Sequence, residues 1–290
     1  MAEGDTIRRL ADRITARFGG QRCMRCVTRD PRLSGVDFTG SVLVAAEAVG
    51  KHLLIRFADG RTLHSHLLMS GSWRVGAAAR EPEWRRRVEL WMEDGRLTGL
   101  DLPLVGMVRT ELEGQIVGHL GPDLCSAVAP DVVVVTMRLQ RDRDAPLGGA
   151  LLDQRNVAGF GNVYAVELPF IVGVSPFQPV GTISDLDGLI RIGTPMIRLH
   201  ARLGPRNTTG RRLATADHFV YGRRGRACPF CATILDGCDD RTSPWQRTSV
   251  WCPGCQRIEP TRTVDLGRAR RLLALHPVRR DPMFPRSPPG

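Results

Sequence analysis

The chain of 290 residues carries 41 lysines and arginines against 30 aspartates and glutamates, a formal net charge of +11, with 42% hydrophobic residues. This length suits two globular units, and no apolar run approaches the length of a membrane span. The opening Met1-Ala-Glu-Gly-Asp5 lacks the basic patch and apolar core of a secretory signal. The positive excess favours a polyanionic partner, because each phosphate neutralised releases counterions and steers association. Of the 41 basic residues only Lys51 is lysine. A bias this strong points to Lys51 as a position where an amine is required, since an amine can lose its proton and a guanidinium cannot.

Asp5 or Thr6 can cap a first helix whose apolar positions Ile7, Leu10, Ala11, Ile14 and Phe18 recur at helical spacing, with Gly19-Gly20 ending it. The amino end of the chain then lies beside a helix N-terminus, where the macrodipole is positive. Val42–Val49 and Lys51–Phe57 read as strands, and Ala58-Asp59-Gly60 turns the chain into a third at Thr62–Leu67. Glu93-Asp94-Gly95 marks a hairpin between Val88–Met92 and Arg96–Leu100. Short strands with regular turns favour a sandwich or barrel. The pattern loosens from Gly121-Pro122 to Asp131, the expected linker. Val132–Gln140, Gly148–Gln154, Ala165–Leu168 and Ile183–Leu203 then read as helical, and a short basic helix is expected over Leu266–Leu275.

Two knuckles, Cys228-Pro-Phe-Cys231 and Cys252-Pro-Gly-Cys255, stand twenty residues apart. This is tetrathiolate zinc-ribbon spacing, each knuckle giving two thiolates to one tetrahedral structural ion. The intervening segment is long enough for a β-hairpin with Arg241 and Arg247 toward its tip. Such a hairpin on a basic chain serves either as a nucleic-acid contact or only as a clip for the C-terminus. Reduced thiols suit a cytosol. Cys23, Cys26, Cys125 and Cys238 have no such pairing and read as structural or incidental.

The string Leu151-Leu-Asp-Gln-Arg-Asn-Val-Ala-Gly-Phe-Gly-Asn-Val-Tyr-Ala-Val-Glu167 joins two helical stretches through Gly159, Gly161 and Asn162. By composition it is either a packing joint or a phosphate-binding joint, where glycine allows close approach and a helix N-terminus offers its amides. As a whole it resembles the helix–two-turn–helix motif of the formamidopyrimidine-DNA glycosylase/endonuclease VIII (Fpg/Nei) family. Ala2-Glu-Gly-Asp-Thr6 resembles the endonuclease VIII form of the family's opening, and Val49-Gly-Lys-His-Leu-Leu54 its catalytic-lysine hairpin. Leu63-His-Ser-His-Leu-Leu-Met-Ser-Gly-Ser-Trp73 is similar to its intercalation-loop segment, and His119-Leu-Gly-Pro-Asp123 to its interdomain joint. Phe219-Val-Tyr-Gly-Arg-Arg-Gly-Arg-Ala-Cys228 and Arg247-Thr-Ser-Val-Trp-Cys252 resemble the entry and exit of its zinc finger.

The resemblance implies an α+β multidomain fold: an N-terminal helix plus β-sandwich, a helical helix–two-turn–helix domain and a C-terminal four-cysteine zinc ribbon, with a cleft between domains. The expected divisions are a catalytic domain over 1–121, a linker over 122–131, a DNA-binding domain over 132–222, the zinc hairpin over 223–262 and a basic, partly disordered tail over 263–290. The implied nucleophile is the amine of residue 2, exposed by removal of Met1. Glu3 would be the acid/base beside it, and Lys51 would bind phosphate and donate a proton in β-elimination. Asn162 would hold a phosphate flanking the lesion, and Arg247 would grip another and assist δ-elimination. Met69 is open between a filler of the gap left by an everted base and a buried core methionine. Cys228, Cys231, Cys252 and Cys255 would hold one structural zinc.

The implied activity is excision of oxidised bases, pyrimidines above all, with abasic-site lyase action. The implied partner is damaged double-stranded DNA, with single-stranded or bubble DNA open, for a monomeric, cytoplasmic, nucleoid-associated bacterial protein. One departure stands out: Ala2 occupies the family's proline position. A primary amine forms an imine that must be protonated to draw electrons, so attenuated lyase chemistry, or a damage-binding protein without turnover, is the alternative.

Overall fold

Helix α1 (Gly4–Phe18) buries Ile7, Leu10, Ala11, Ile14 and Phe18, the face its 3–4 spacing predicts. Its cap is Glu3, earlier than the expected Asp5 or Thr6: Glu3 is extended (φ −125°, ψ 178°), and its carbonyl accepts the Thr6 and Ile7 amides. The residue beside Ala2 therefore begins the helix. The computed structural model describes residues 2–76, 80–211, 215–239, 241–242 and 245–286; Met1, Asp240 and the tail residues 287–290 lie outside them.

The chain divides into two units, Met1–His119 and Leu120–Gly290, where the sequence suggested a boundary after Gly121. In the first, eight strands follow α1 among the described residues: β1 (Cys23–Thr28), β2 (Leu43–Val49), β3 (His52–Phe57), β4 (Arg61–His66), β5 (Ser72–Gly76), β6 (Arg86–Met92), β7 (Gly95–Leu100) and β8 (Leu104–Arg109). They form two four-stranded antiparallel sheets, ordered β1-β6-β7-β5 and β2-β3-β4-β8. Leu43, Leu53, Ile55, Leu63, Val88, Leu90 and Leu97 from both sheets share one core with the apolar face of α1, which packs on β2, β3 and β5. A short helix, α2 (Gly114–Val117), closes the unit. Lys51, expected in a strand, instead sits in the turn between β2 and β3. Val49 pairs with His52, leaving Gly50 and Lys51 as a two-residue hairpin whose first residue has φ +59°, a conformation glycine adopts without strain.

The second unit is mostly helical: α3 (Val132–Leu139), α4 (Leu147–Leu152), α5 (Asn162–Ile171) and α6 (Leu186–Leu203). Every residue of α5 is buried. The short strand β9 (Ile183–Ser184) stands where the helical reading began. It pairs in parallel with β12 (Arg262–Thr263), and left-handed Asp185 (φ 58°) resets the chain into α6. The ribbon hairpin consists of β10 (Asp236–Cys238) and β11 (Ser249–Trp251). Leu235, Val250 and both buried knuckle cysteines belong to the same core as α5 and α6, so the ribbon is not a separate body.

Nor is the tail loose over 263–286. Helix α7 (Leu266–Leu272) and a 3-10 turn at Pro277–Arg280 bring Ala269, Leu273, Val278 and Phe284 into that core. Of the basic residues that suggested disorder, Arg271, Arg279, Arg280 and Arg286 are exposed among these apolar anchors, while Arg268 is itself buried. No helix among the described residues is long and apolar enough to cross a membrane.

Candidate active site and metal centre

In the first unit, Ala2 and Met69 line one cavity of about 320 Å³, with Thr6, Arg9, Leu10 and Arg13 of α1 on one side and Leu67, Leu68, Gly71, Ser72 and Trp73 on the other. Met69 is 67% exposed, which removes the core-methionine reading. Glu3, next to Ala2, is fully buried. Lys51 occupies the hairpin tip, close enough to His66 at the end of β4 to act on its titration. His66 in turn accepts the Leu68 amide at 3.1 Å, so the lysine hairpin and the Met69 turn are joined through one imidazole.

A histidine cluster surrounds this junction. His52 Nδ1 lies 2.9 Å from His64 Nε2, the two rings stack at 5.1 Å, and His66 and His119 approach His52 edge-on at 4.9 and 6.3 Å. Burial, then the neighbouring imidazoles, pushes His52 down to about 3; burial, then His66, lowers His64 to about 4; burial, then Lys51, lowers His66 to about 4. The rings are therefore neutral donor–acceptors near neutrality. Because the unfolded chain takes up these protons first, their contribution is complete above about pH 6.5 and is lost as pH falls toward 4. Urea unfolding should show stability falling by about 1–2 kcal/mol per imidazole between pH 7 and 5, and His64→Gln should flatten that dependence. Sequence alone gives His64 and His66 no role. Spacing of two along a strand puts both rings on one face, and only the β3–β4 register, which pairs His52 with His66 and Leu54 with His64, brings His52 onto it.

In the second unit, Asn162 opens α5 and is buried, its Nδ2 donating to the Thr248 carbonyl at 2.7 Å while Oδ1 has no partner. Arg247 directly precedes Thr248, so the structure brings Asn162 and Arg247 together. Trp245 packs against Phe177 at 5.3 Å on one side of Arg247, and Thr248 is held by Asn162 on the other. Between them Gln246 is left-handed (φ 53°), and the exposed Arg247 donates to the Gln246 carbonyl at 2.9 Å. An exposed guanidinium on a twice-anchored turn is suited to an anion.

The sulfur atoms of Cys228, Cys231, Cys252 and Cys255 lie within 4.8 Å of one another, with Cys228–Cys255 at 3.9 Å, Cys231–Cys252 at 3.4 Å and Cys231–Cys255 at 3.2 Å. Tetrahedral zinc with bonds of about 2.3 Å needs sulfurs about 3.8 Å apart, so the donor set fits. Against burial, hydrogen bonding from Thr233 and Cys255 holds Cys231 down to about 6, while burial pushes Cys252 and Cys255 up. A second observation supports an anionic centre. Arg268 of α7, 4% exposed, donates Nε to the Phe170 carbonyl at 3.0 Å and lies over the Phe230 and Phe170 rings at 3.9 and 4.7 Å. Its side chain favours the Cys255 thiolate by hydrogen bonding and then by charge, while its buried Nη2 meets no hydrogen-bond partner. A buried cation beside four sulfurs is costly unless those sulfurs carry negative charge. Gln256 secures the second knuckle, accepting the Cys252 amide at 2.9 Å and donating to Val174 at 2.8 Å. By contrast, Cys23 and Cys26 lie on β1, where burial raises both thiols, Cys23 to about 12.

A sandwich led by a buried glutamate at a helix cap, and a helical unit with a four-cysteine ribbon, make a two-unit α+β architecture. Residues 1–118 match the family model for the formamidopyrimidine-DNA glycosylase N-terminal domain. The probable endonuclease 8 2 of Streptomyces coelicolor is 40% identical over 265 residues, covering 88% of this chain and 94% of that protein. The DNA-(apurinic or apyrimidinic site) lyase Nei2 of Mycolicibacterium smegmatis is 39% identical, covering 88% and 99%. The solved MutM (Fpg) protein of Thermus thermophilus aligns with a TM-score of 0.73 and 27% identity, covering 89% of this chain and all of that one. The chain belongs to the formamidopyrimidine-DNA glycosylase/endonuclease VIII family.

Proposed function

We propose that the protein is a bifunctional base-excision-repair enzyme, a DNA glycosylase and abasic-site lyase that removes oxidised bases, pyrimidines in preference to 8-oxoguanine. The observation that carries this reading is the cavity shared by Ala2, at the start of α1, and the exposed Met69. It supports an amine positioned where an everted nucleotide and its apolar replacement in the stack would both be handled. The endonuclease VIII-like opening, and relatives named endonuclease 8, support the pyrimidine preference.

After loss of Met1 the Ala2 amine, with a reference pKa near about 8, lies at the positive end of α1, which disfavours the ammonium. Its lone pair attacks the anomeric carbon; the glycosidic bond breaks and the base departs with those electrons and a proton. Loss of the ring oxygen from that carbon leaves a protonated imine, which acidifies the adjacent C2′ proton. Glu3, buried beside Ala2, is the group we assign to moving these protons. Removal of the C2′ proton expels the 3′ phosphate, and Lys51 at its hairpin tip neutralises that phosphate and supplies a proton. Asn162 and Arg247 hold the flanking backbone, Arg247 assisting loss of the second phosphate. The four cysteines hold one zinc that supplies structure. Because the imine of Ala2, unlike that of proline, loses its charge on deprotonation, elimination is slower than base release.

Borohydride reduction on an abasic-site duplex tests the assignment. Covalent trapping at residue 2 is expected, with nicking reduced at least about a hundredfold in Glu3→Gln and Lys51→Ala. Tight binding to the abasic duplex without trapping would establish instead a damage-binding protein without turnover, and equal affinity for intact duplex would remove the repair reading altogether.

A further inference from the structure

The turn between β4 and β5 is held more firmly than its exposure suggests. Leu68 and Met69 are 47% and 67% exposed, yet the Gly71 amide donates to the Leu67 carbonyl at 2.8 Å and the Leu68 amide donates to His66 Nδ1 at 3.1 Å. A Cβ on residue 71 would stand 2.9 Å from the Leu67 carbonyl oxygen, so only glycine closes the turn this tightly. Leu68 itself is left-handed (φ 44°), a conformation a bulky side chain keeps only where its surroundings impose it. The restraint acting directly on Leu68 is the His66 ring.

That bond also fixes the ring. A nitrogen accepting an amide proton cannot carry one in the neutral form, so the His66 proton resides on Nε2. Burial, and then the charge of Lys51, keeps the imidazole neutral, while His52 packs edge-on against it at 4.9 Å. His66 is paired with His52 across β3 and β4, and Lys51 directly precedes His52. One side chain therefore contacts the lysine hairpin through its ring and the exposed apolar turn through Nδ1.

We propose that His66 is the positioning residue of the DNA wedge: its Nδ1 holds the Leu68–Met69 turn in the conformation that enters the base stack, in fixed relation to Lys51. The inference rests on the reading of Met69 as the group that replaces the everted base. Pre-forming the wedge removes an ordering cost that would otherwise fall on DNA binding.

Asparagine and glutamine separate the two ring nitrogens. His66→Asn sets an amide oxygen at the Nδ1 position, where it can accept the amide two residues on, as in an Asx-turn. His66→Gln sets its polar group at the Nε2 position and leaves the Leu68 amide without an acceptor. The full-length protein is titrated with a duplex containing a tetrahydrofuran abasic analogue and a neighbouring 2-aminopurine, whose fluorescence rises when an inserted side chain breaks its stacking. Exchange of the Leu68 amide is followed in the free protein. His66→Asn should keep the fluorescence rise and the amide protection within about twofold of the parent; His66→Gln should lose the protection and bind about tenfold more weakly. Equal behaviour of the two variants, or retention by Gln and loss by Asn, overturns the role of Nδ1. Met69→Ala run alongside separates the two claims: a lost rise with indistinguishable His66 variants sinks the His66 role alone. An undiminished rise in Met69→Ala sinks the wedge itself, and the positioning role with it.

Discussion

Glu167→Ala should lower the stability of the protein by about 5 kcal/mol, most of what a domain possesses. The Glu167 carboxylate is fully buried. It accepts the Phe219 amide at 2.9 Å, the Val220 amide at 2.7 Å, the Tyr221 amide at 2.8 Å and the Thr208 hydroxyl. Alanine strands two buried amides and one half-buried one, the buried ones each costing about 1–3 kcal/mol, and leaves a cavity as well. Glu167→Gln is the sharper test, because it keeps the volume and turns one acceptor into a donor facing those amides. A loss of about 2–4 kcal/mol in urea unfolding is expected for it, and parent-like stability would show that these bonds carry little. The consequence reaches the elements proposed to hold the DNA backbone. Asn162, at the start of α5, holds Thr248 beside Arg247, while Glu167 on the same helix holds the segment leading to Cys228. One helix fastens the ribbon at its entry and its exit, so Glu167→Ala should also weaken DNA binding without touching a residue proposed to contact DNA.

What could be read in the sequence follows from how local each signal is. The α1 face, the β3–β4 and β6–β7 hairpins and the two cysteine knuckles are each encoded within a few consecutive residues, and all appear close to where they were expected. The sandwich strands that escaped, β1, β5 and β8, are all edge strands of their sheets, and the two-residue β9 and β12 escaped as well. An edge strand has a neighbour on one side only; β1 also carries a register shift between Cys23 and Arg25, which breaks the period of two. Lys51 was legible as the single lysine, but its place at a hairpin tip rather than in a strand depends on the Val49–His52 pairing. Glu167 and Arg268 were not legible as anchors, because the hydrogen-bond partners of Glu167 lie 41 to 54 residues away and the carbonyl that Arg268 Nε meets lies 98 away. A buried ion's partner is a tertiary fact.

Loss of the proposed zinc should release the ribbon and the C-terminal helix together. Structural zinc contributes about 10–16 kcal/mol to the folding of isolated finger peptides, and Cys252, buried in the shared core, cannot be replaced without exposing that core. Cys252→Ala is expected to lose the metal and to open the amides of α7 to exchange. Four thiolates around one divalent ion carry a net double negative charge, and Arg268 is the buried cation set against it, steadied by Phe230, Phe170 and the Phe170 carbonyl. Arg268→Met keeps the stem and removes the charge. It should weaken zinc retention by about 10–100-fold, measured as transfer to a chromophoric chelator. Arg268→Lys should fall between, since it restores the charge without the planar fork. Unchanged release from Arg268→Met would dissociate the tail from the centre. Coupling between two sites is reciprocal, so the factor by which Arg268→Met lowers zinc affinity must equal the factor by which the Arg268 side chain's contribution to α7 protection shrinks when zinc is withdrawn. A tail that stays protected in zinc-free protein, while Arg268→Met still lowers zinc affinity, would show that Arg268 acts on the metal centre locally and not through the order of α7.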